Sequence, residues 1–362
     1  MMDDHRRGRG VKLDTPAEPA AGWQAGGMRR SFVLLAGALL AGVLAVPAVA
    51  ADHEGAEGSD GSDGSDGFTL QDPRITESSG LAASRAHPGV YWTHNDSDDG
   101  AFLYAVDGKT GKTVATVTMT GVGRPRDVEA ISVGPNGHLY VGDIGDNLGG
   151  TWDHVWIYEL PEPKELKDQT VRATQYDVKY ADGARDAEAL MVHPKTGRVY
   201  IVSKNEDGGG LYEGPAELSA SGTNTFRRTA DIGLWVTDGA FSPDGRQLAV
   251  RGYFGGIAYK WNNGKPKRQA QLNVPLQRQG ESMTYTPDGS TLLYGSEGSG
   301  SSVEAGSVPG AGGDKSSSGK GGSADGGDGD DGANGNFKMG AIALAVAFAV
   351  VYGLKRLFRR GD

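Results

Sequence analysis

The residues that could do chemistry in this chain are acids, and they recur in one pattern. In "DVEAISVGPNGHLYVGDIGDN", Asp127 and Glu129 open an apolar arm, a Pro-Asn-Gly turn reverses the chain, and Asp143, Asp146 and Asn147 end the returning arm. Antiparallel pairing across that turn brings both acidic ends to one side, with Glu129 expected opposite Gly142 and beside Asp143. Carboxylates about 4 Å apart, with water partly excluded, repel by several kcal/mol, so a positive partner is expected among them.

Related hairpins begin at Glu77 ("ESSGLAASRAHPGVYWTHN"), Asp186 ("DAEALMVHPKTGRVYIVS"), Asp238 ("DGAFSPDGRQLAVRG") and Glu281 ("ESMTYTPDGSTLLYGS"). Placed side by side, their first arms form a ring of acids and their second arms end in a ring that includes His94, Asn95, Asp96, Lys204, Arg251 and Glu297. Oxygen donors with no cysteine and only 7 histidines in the chain select calcium over zinc or copper. The candidate metal ligands are Glu77, Asp127, Glu129, Asp186, Glu188, Asp238, Glu281 and Asp143. The alternative assigns these acids to caps on backbone amides, or to ion pairs with Arg126, Arg185 and Lys204. "NDSDDG", from Asn95 to Gly100, lacks the distal glutamate of a helical calcium loop and reads as a polar turn.

Catalysis on such a ring would be calcium-assisted hydrolysis of a phosphoester or ester. Glu129 or Glu188 would serve as general base, and Lys204, Arg251 and His94 would bind substrate oxygens. No Gly-x-Ser-x-Gly elbow lies on a strand-to-helix turn, and no zinc helix motif occurs. A formal net charge of −10 argues against nucleic acid as a partner, because phosphate binding needs a basic face.

These side chains need a frame, and the sequence predicts an all-β one. Segments such as "GVYWTHN", "AFLYAV", "HVWIYEL", "QLAVRGY" and "GIAYKW" are each bounded by Gly, Pro, Asn or Asp, and helical periodicity is nearly confined to "PAELSA" from Pro215. The hairpins start roughly 43 to 59 residues apart, the length of one four-stranded propeller blade. A plausible outer strand precedes each copy, and the one at Phe68 has no earlier blade to join. It is expected to complete the last sheet, giving a β-propeller of five four-stranded blades closed by an N-terminal strand, with no open sheet edge.

The ends of the chain carry other signals. Met28 opens "MRRSFVLLAGALLAGVLAVPAVA", with basic residues, an apolar run and a small-residue cleavage pattern, so residues 28–50 read as a secretory signal peptide and residues 1–27 as an extension of the gene reading. The Arg29-Arg30 pair fits ordinary secretion better than twin-arginine export. Residues 51–67 and 299–336 are Gly, Ser and Asp rich and read as linkers on either side of a domain over 68–298. Residues 337–354 read as one transmembrane helix, and the basic residues of 355–362 place that tail in the cytoplasm. An exported chain without cysteine has no disulfides and must be held by its core, by bound metal, or by both. The expectation is a single-pass cell-membrane protein with an extracellular propeller, calcium in its central channel, and an unidentified extracellular ligand or protein partner.

"ITESSGLAAS", "RDVEAISVGPNGHLYVGDIGDN", "RDAEALMVHPKTGRVYIVSKNE" and "GESMTYTPDGSTLLYGSEG" resemble a group of exported actinobacterial β-propeller proteins loosely described as WD-repeat-like. Trp152-Asp153 and Gly137-His138 stand in the opposite order from true WD repeats and do not recur. A more distant similarity is to calcium-dependent phytase-like and apyrase-like propellers. That similarity implies Glu77 or Ser79, Glu129, Glu188, Asp238 and Glu281 as channel positions that hold calcium.

Overall fold

Alternating apolar residues and turn signals give strands throughout the computed structural model, which describes residues 66–96, 99–147 and 149–310. A short β1 (Gly67–Thr69) comes first. It is followed by β2 (Ser78–Ala83), β3 (Val90–Asn95), β4 (Phe102–Asp107) and β5 (Thr113–Thr120), an antiparallel meander. Next are β6 (Val128–Val133), β7 (His138–Asp143), β8 (Val155–Pro161), β9 (Gln169–Arg172) and β10 (Thr174–Tyr180), of which β6, β7, β8 and β10 pair antiparallel in that order. Two more meanders are β11 (Ala187–Val192), β12 (Val199–Ser203), β13 (Gly209–Glu213) and β14 (Thr223–Ile232), then β15 (Asp238–Phe241), β16 (Gln247–Gly252), β17 (Gly255–Asn262) and β18 (Lys265–Leu272). The last of the described strands are β19 (Gly280–Tyr285), β20 (Thr291–Ser296) and β21 (Ser302–Ser307).

The first strand of each meander lies beside the first strand of the next, in the closed cycle β2, β6, β11, β15, β19 and back to β2. The apolar core is divided accordingly. Trp92, Val117, Ile131 and Tyr158 form one cluster between the first two meanders, Ile157, Leu190, Ile201 and Phe226 form the next, and Met191, Val202, Leu248 and Ile257 a third. Leu81 and Tyr91 meet Leu293 and Val303, which joins the first meander to the last. This is an all-β, propeller-like fold, and burial between neighbouring sheets is what holds it.

The strand at Phe68 does pair with the last sheet: β1 runs antiparallel to β21, with Phe68 opposite Val303. Several features differ from expectation. Strand β21 lies beyond Gly298, where the sequence suggested linker; its Val303 is the one buried residue in an otherwise Ser, Glu, Ala and Gly segment, so the signal for a buried strand was one residue wide. β9 adds to β5 in parallel, and β10 pairs in parallel with β14, which merges two meanders into one eight-stranded sheet. The segment from Pro215 forms no helix, since a run this short cannot offset the cost of helix nucleation. Among the described residues no helix is long and apolar enough to cross a membrane. The signal peptide, most of both linkers, the transmembrane helix and the basic tail lie outside the described residues.

Candidate functional site

The acids gather at one end of the ring of first strands through a repeated irregularity of those strands. In β6 the register slips between Val128, opposite Asp143, and Ala130, opposite Gly142, so Glu129 is the extra residue of a β-bulge. The same slip falls at Ser79 in β2, at Glu188 in β11 and at Glu281 in β19. A bulge re-aims its extra side chain and bends the strand end, and here it does so at the acidic position of each repeat. β15 pairs without a slip from Asp238 onward, so this repeat differs in backbone as well as in sequence.

Backbone hydrogen bonds fix the residues around each bulge. The amides of Asp96, Gly145, Lys204 and Glu297 donate to the carbonyls of Glu77, Asp127, Asp186 and Gln279, at 2.8, 3.1, 3.0 and 2.8 Å. Each of those carbonyls belongs to the residue two before a bulge. Asp96, Gly145, Lys204 and Glu297 are therefore structurally equivalent, and at this position the repeats carry an acid, a glycine, a lysine and an acid.

Three carboxylates converge in consequence. Asp96, Asp127 and Glu129 each bring an oxygen to within 4.8 Å of the others. Asp127 and Glu129 are buried, and Asp96 hydrogen-bonds Asp127 while its Oδ1 is buried without a partner. Glycine at 145 leaves the room: a Cβ there would stand 2.7 Å from both Asp127 Oδ2 and Glu129 Oε1. Ser79 Oγ donates to Glu129 Oε2 at 2.8 Å and Asn147 Nδ2 to Asp127 Oδ2 at 3.1 Å, which orients the pair. Burial, reinforced by their neighbours' charges, holds Asp96 and Glu129 well above the usual carboxylate range. The donor set is all oxygen, and three carboxylates supply up to six ligand atoms, which suits the coordination of calcium.

The other half of the ring is organised by Lys204. Its Nζ lies 2.6 Å from Glu188 Oε1, and Glu281, Glu129 and the Tyr253 hydroxyl are close by. Burial alone would lower the Lys204 ammonium, but these acids outweigh it and hold it well above the ordinary lysine value. Glu188 is in turn pushed up by burial, against the pull of Lys204. Glu281 hydrogen-bonds Gln279 and Tyr253 and keeps Oε2 buried without a partner.

The remaining candidates have structural engagements. Asp143 accepts from the amides of Arg126 and Asp127, both at 3.0 Å, and from Tyr158 Oη at 2.6 Å. Asn95 does the equivalent work in the first meander, accepting from the amides of Thr76 and Glu77. Asp238 accepts from the amides of Gly239 and Met283, so it ties β15 to β19. Asp186 accepts from the amide of Asp146, and Asp146 itself closes its loop through Trp152 N and Thr151 Oγ1. Glu77 is buried and interacts electrostatically with Asp96.

Among the candidate substrate-binding groups, Arg251 is 0% exposed. Its Nη1 donates to Gln277 Oε1 and to the carbonyls of Ser282 and Gly295, and burial lowers it to about 10. His94 is buried against Gly80, its Nδ1 3.2 Å from the Asn95 carbonyl, and burial pushes it down to about 4, so it is neutral at pH 7. Arg126 stacks between the indoles of Trp152 and Trp156, at 4.0 and 3.7 Å, and Arg185 pairs with Asp182 at 2.7 Å. Of the expected ion pairs with acids of the ring, the one from Lys204 forms.

Sequence reasoning placed Asp96 at the end of a second arm but left it out of the metal candidates, because "NDSDDG" lacks the distal glutamate of a calcium loop and read as a polar turn. It also passed over Gly145 and Tyr253, whose roles depend on which side chains face them.

No family model and no curated protein matches the chain. Among solved structures it is similar to a 6-phosphogluconolactonase-like protein from Bacteroides uniformis, with 13% identity over 64% of this chain and 68% of that one and a TM-score of 0.38. A second such protein, from Bacteroides fragilis, gives 12% identity over 66% and 69% of the two chains, also with a TM-score of 0.38. Kuenenia stuttgartiensis hydrazine synthase gives 13% identity over 60% of this chain and 61% of that one, with a TM-score of 0.36. At these identities and scores the likeness carries no activity or substrate to this chain.

Proposed function

We propose that this chain is a membrane-anchored, exported propeller of five blades that binds calcium at the mouth of its central channel and presents that face to an extracellular ligand or protein. The observation that carries the metal is the meeting of Asp96, Asp127 and Glu129 within 4.8 Å, with Asp96 Oδ1 buried and unpartnered. Buried carboxylates so close together repel unless a cation or protons intervene, and a hard divalent ion satisfies all three. The reading of five blades is supported by the cycle of first strands β2, β6, β11, β15 and β19, with β1 completing the sheet of β19 to β21. Export and anchoring rest on the apolar and basic segments at the two ends of the sequence.

Hydrolysis on the same face would need free cations for a substrate. Lys204 is bonded to Glu188 and Arg251 is sealed in the wall, so binding is the reading adopted.

The test is calcium titration of the full-length chain purified in detergent, by calorimetry, beside Asp96→Asn and Glu129→Gln. One ion per chain is expected, with each variant weakening binding at least tenfold. A chain that binds no calcium, and whose melting temperature is the same in chelator and in excess calcium, would refute it.

A further inference from the structure

The bulges at Glu129, Glu188 and Glu281 give the channel mouth repeated acidic positions, yet the two halves of the ring are completed differently. On one side the residue equivalent to Lys204 is Asp96, and its carboxylate joins Asp127 and Glu129. On the other side Lys204 itself reaches inward, and its ammonium sits on Glu188 Oε1 at 2.6 Å. The groups facing that ammonium are Glu188, Glu281, Glu129 and the Tyr253 hydroxyl, with Asp186 next to Glu188. An ammonium brings one charge to this set of acids, and Glu281, which interacts electrostatically with both Lys204 and Glu188, keeps Oε2 buried with no partner. The position therefore has the donors of a cation site and a side chain in place of the ion.

Resting on the calcium-binding reading above, we infer that Lys204 is a built-in cation: it fills a latent second divalent site formed by Glu188 and Glu281, and so limits the mouth to one divalent ion. Glu188 and Glu281 are the bulge counterparts of Glu129, so removal of the ammonium exposes oxygens of the same type in the same setting. Lys204 is a specificity-determining residue in this scheme, because it sets how many ions bind and which half of the ring takes them.

The experiment is calcium stoichiometry of the full-length chain in detergent, read by calorimetry and by metal analysis after dialysis. The wild-type chain and Lys204→Arg are expected to hold one ion, and Lys204→Met and Lys204→Asp two. One ion in both Lys204→Met and Lys204→Asp, or two in the wild type, would overturn the inference while leaving the single calcium site intact. No ion in the wild type would overturn the calcium reading itself. Should the lone charges left by the single changes prevent folding, Lys204→Met combined with Glu188→Gln removes both members of the buried pair. That double variant is expected to bind one ion, and two would show that the second ion does not use Glu188.

Discussion

Gly145 lies against Glu129 so closely that a Cβ on the glycine would stand 2.7 Å from the Glu129 carboxylate, and the same distance from Asp127. Its φ is not left-handed, so backbone conformation does not demand glycine there. The requirement is for space among carboxylates. Gly145→Ala is expected to leave the fold intact and to push the two acids apart, lowering calcium affinity by about tenfold, or about 1.4 kcal/mol. Calorimetric titration checks this; wild-type affinity in Gly145→Ala would remove the glycine from the account of the site.

Asp143 separates the capping role from the ligand role. It holds two backbone amides and the Tyr158 hydroxyl, and all of these are buried or nearly so. Asp143→Ala leaves three donors unsatisfied and is expected to cost roughly 3 kcal/mol or more, while Tyr158→Phe, which removes a single bond to a charged group, costs about 1.5 to 3 kcal/mol. Denaturant unfolding gives both values. Calcium stoichiometry is expected to stay at one in Tyr158→Phe, since the Asp143 carboxylate keeps its amides.

The hairpin unit was legible in sequence because alternation, turn and acids recur at similar spacing, and the strands from "GVYWTHN" to "STLLYGS" lie where those signals put them. Two kinds of fact were not legible. The bulges at Ser79, Glu129, Glu188 and Glu281 are offsets between two strands, and a single sequence carries no register. The partition of acids between caps and cluster depends on which amide lies within 3 Å, so Asp143 and Asp127 look alike in sequence and differ in the fold. β21 failed on a third ground, since its packing rests on Val303 within a segment whose composition is that of a linker.

That strand sets the smallest chain that closes. Among the described residues β1 pairs with β21 alone, and Phe68 packs against Tyr91 of the first meander, with ring centroids 5.3 Å apart. A chain ending at Gly298 loses β21, strips the pairing from β1 and uncovers the edge of β20. It is expected to unfold without a cooperative transition or to aggregate through that edge, whereas a chain ending at Gly310 melts cooperatively. Thermal melts of the two truncations decide it, and equal cooperativity would show that closure by β1 and β21 is dispensable.

The buried acids also set the sign of the pH dependence. In chelator, Asp96, Glu129, Glu188 and Asp238 have folded-state values raised chiefly by burial, so the folded chain binds more protons than the unfolded one once pH exceeds the ordinary carboxylate range. Their favourable contribution is complete below that range and is lost as pH rises through the raised values. Stability then falls with pH, by up to about 1.4 kcal/mol per pH unit for each proton of difference. Lys204 is raised as well, but its contribution is lost only above the ordinary lysine range and does not enter this window. Calcium removes the share of Asp96 and Glu129 in this slope, because metal ligands must be deprotonated to bind, and leaves that of Glu188 and Asp238. Melting temperatures in chelator are therefore expected to drop from pH 5 to pH 8, and in excess calcium to drop less steeply over the same interval. A rise in chelator would mean that the acids of the mouth are satisfied without a cation, and that the repulsion inferred among Asp96, Asp127 and Glu129 is absent.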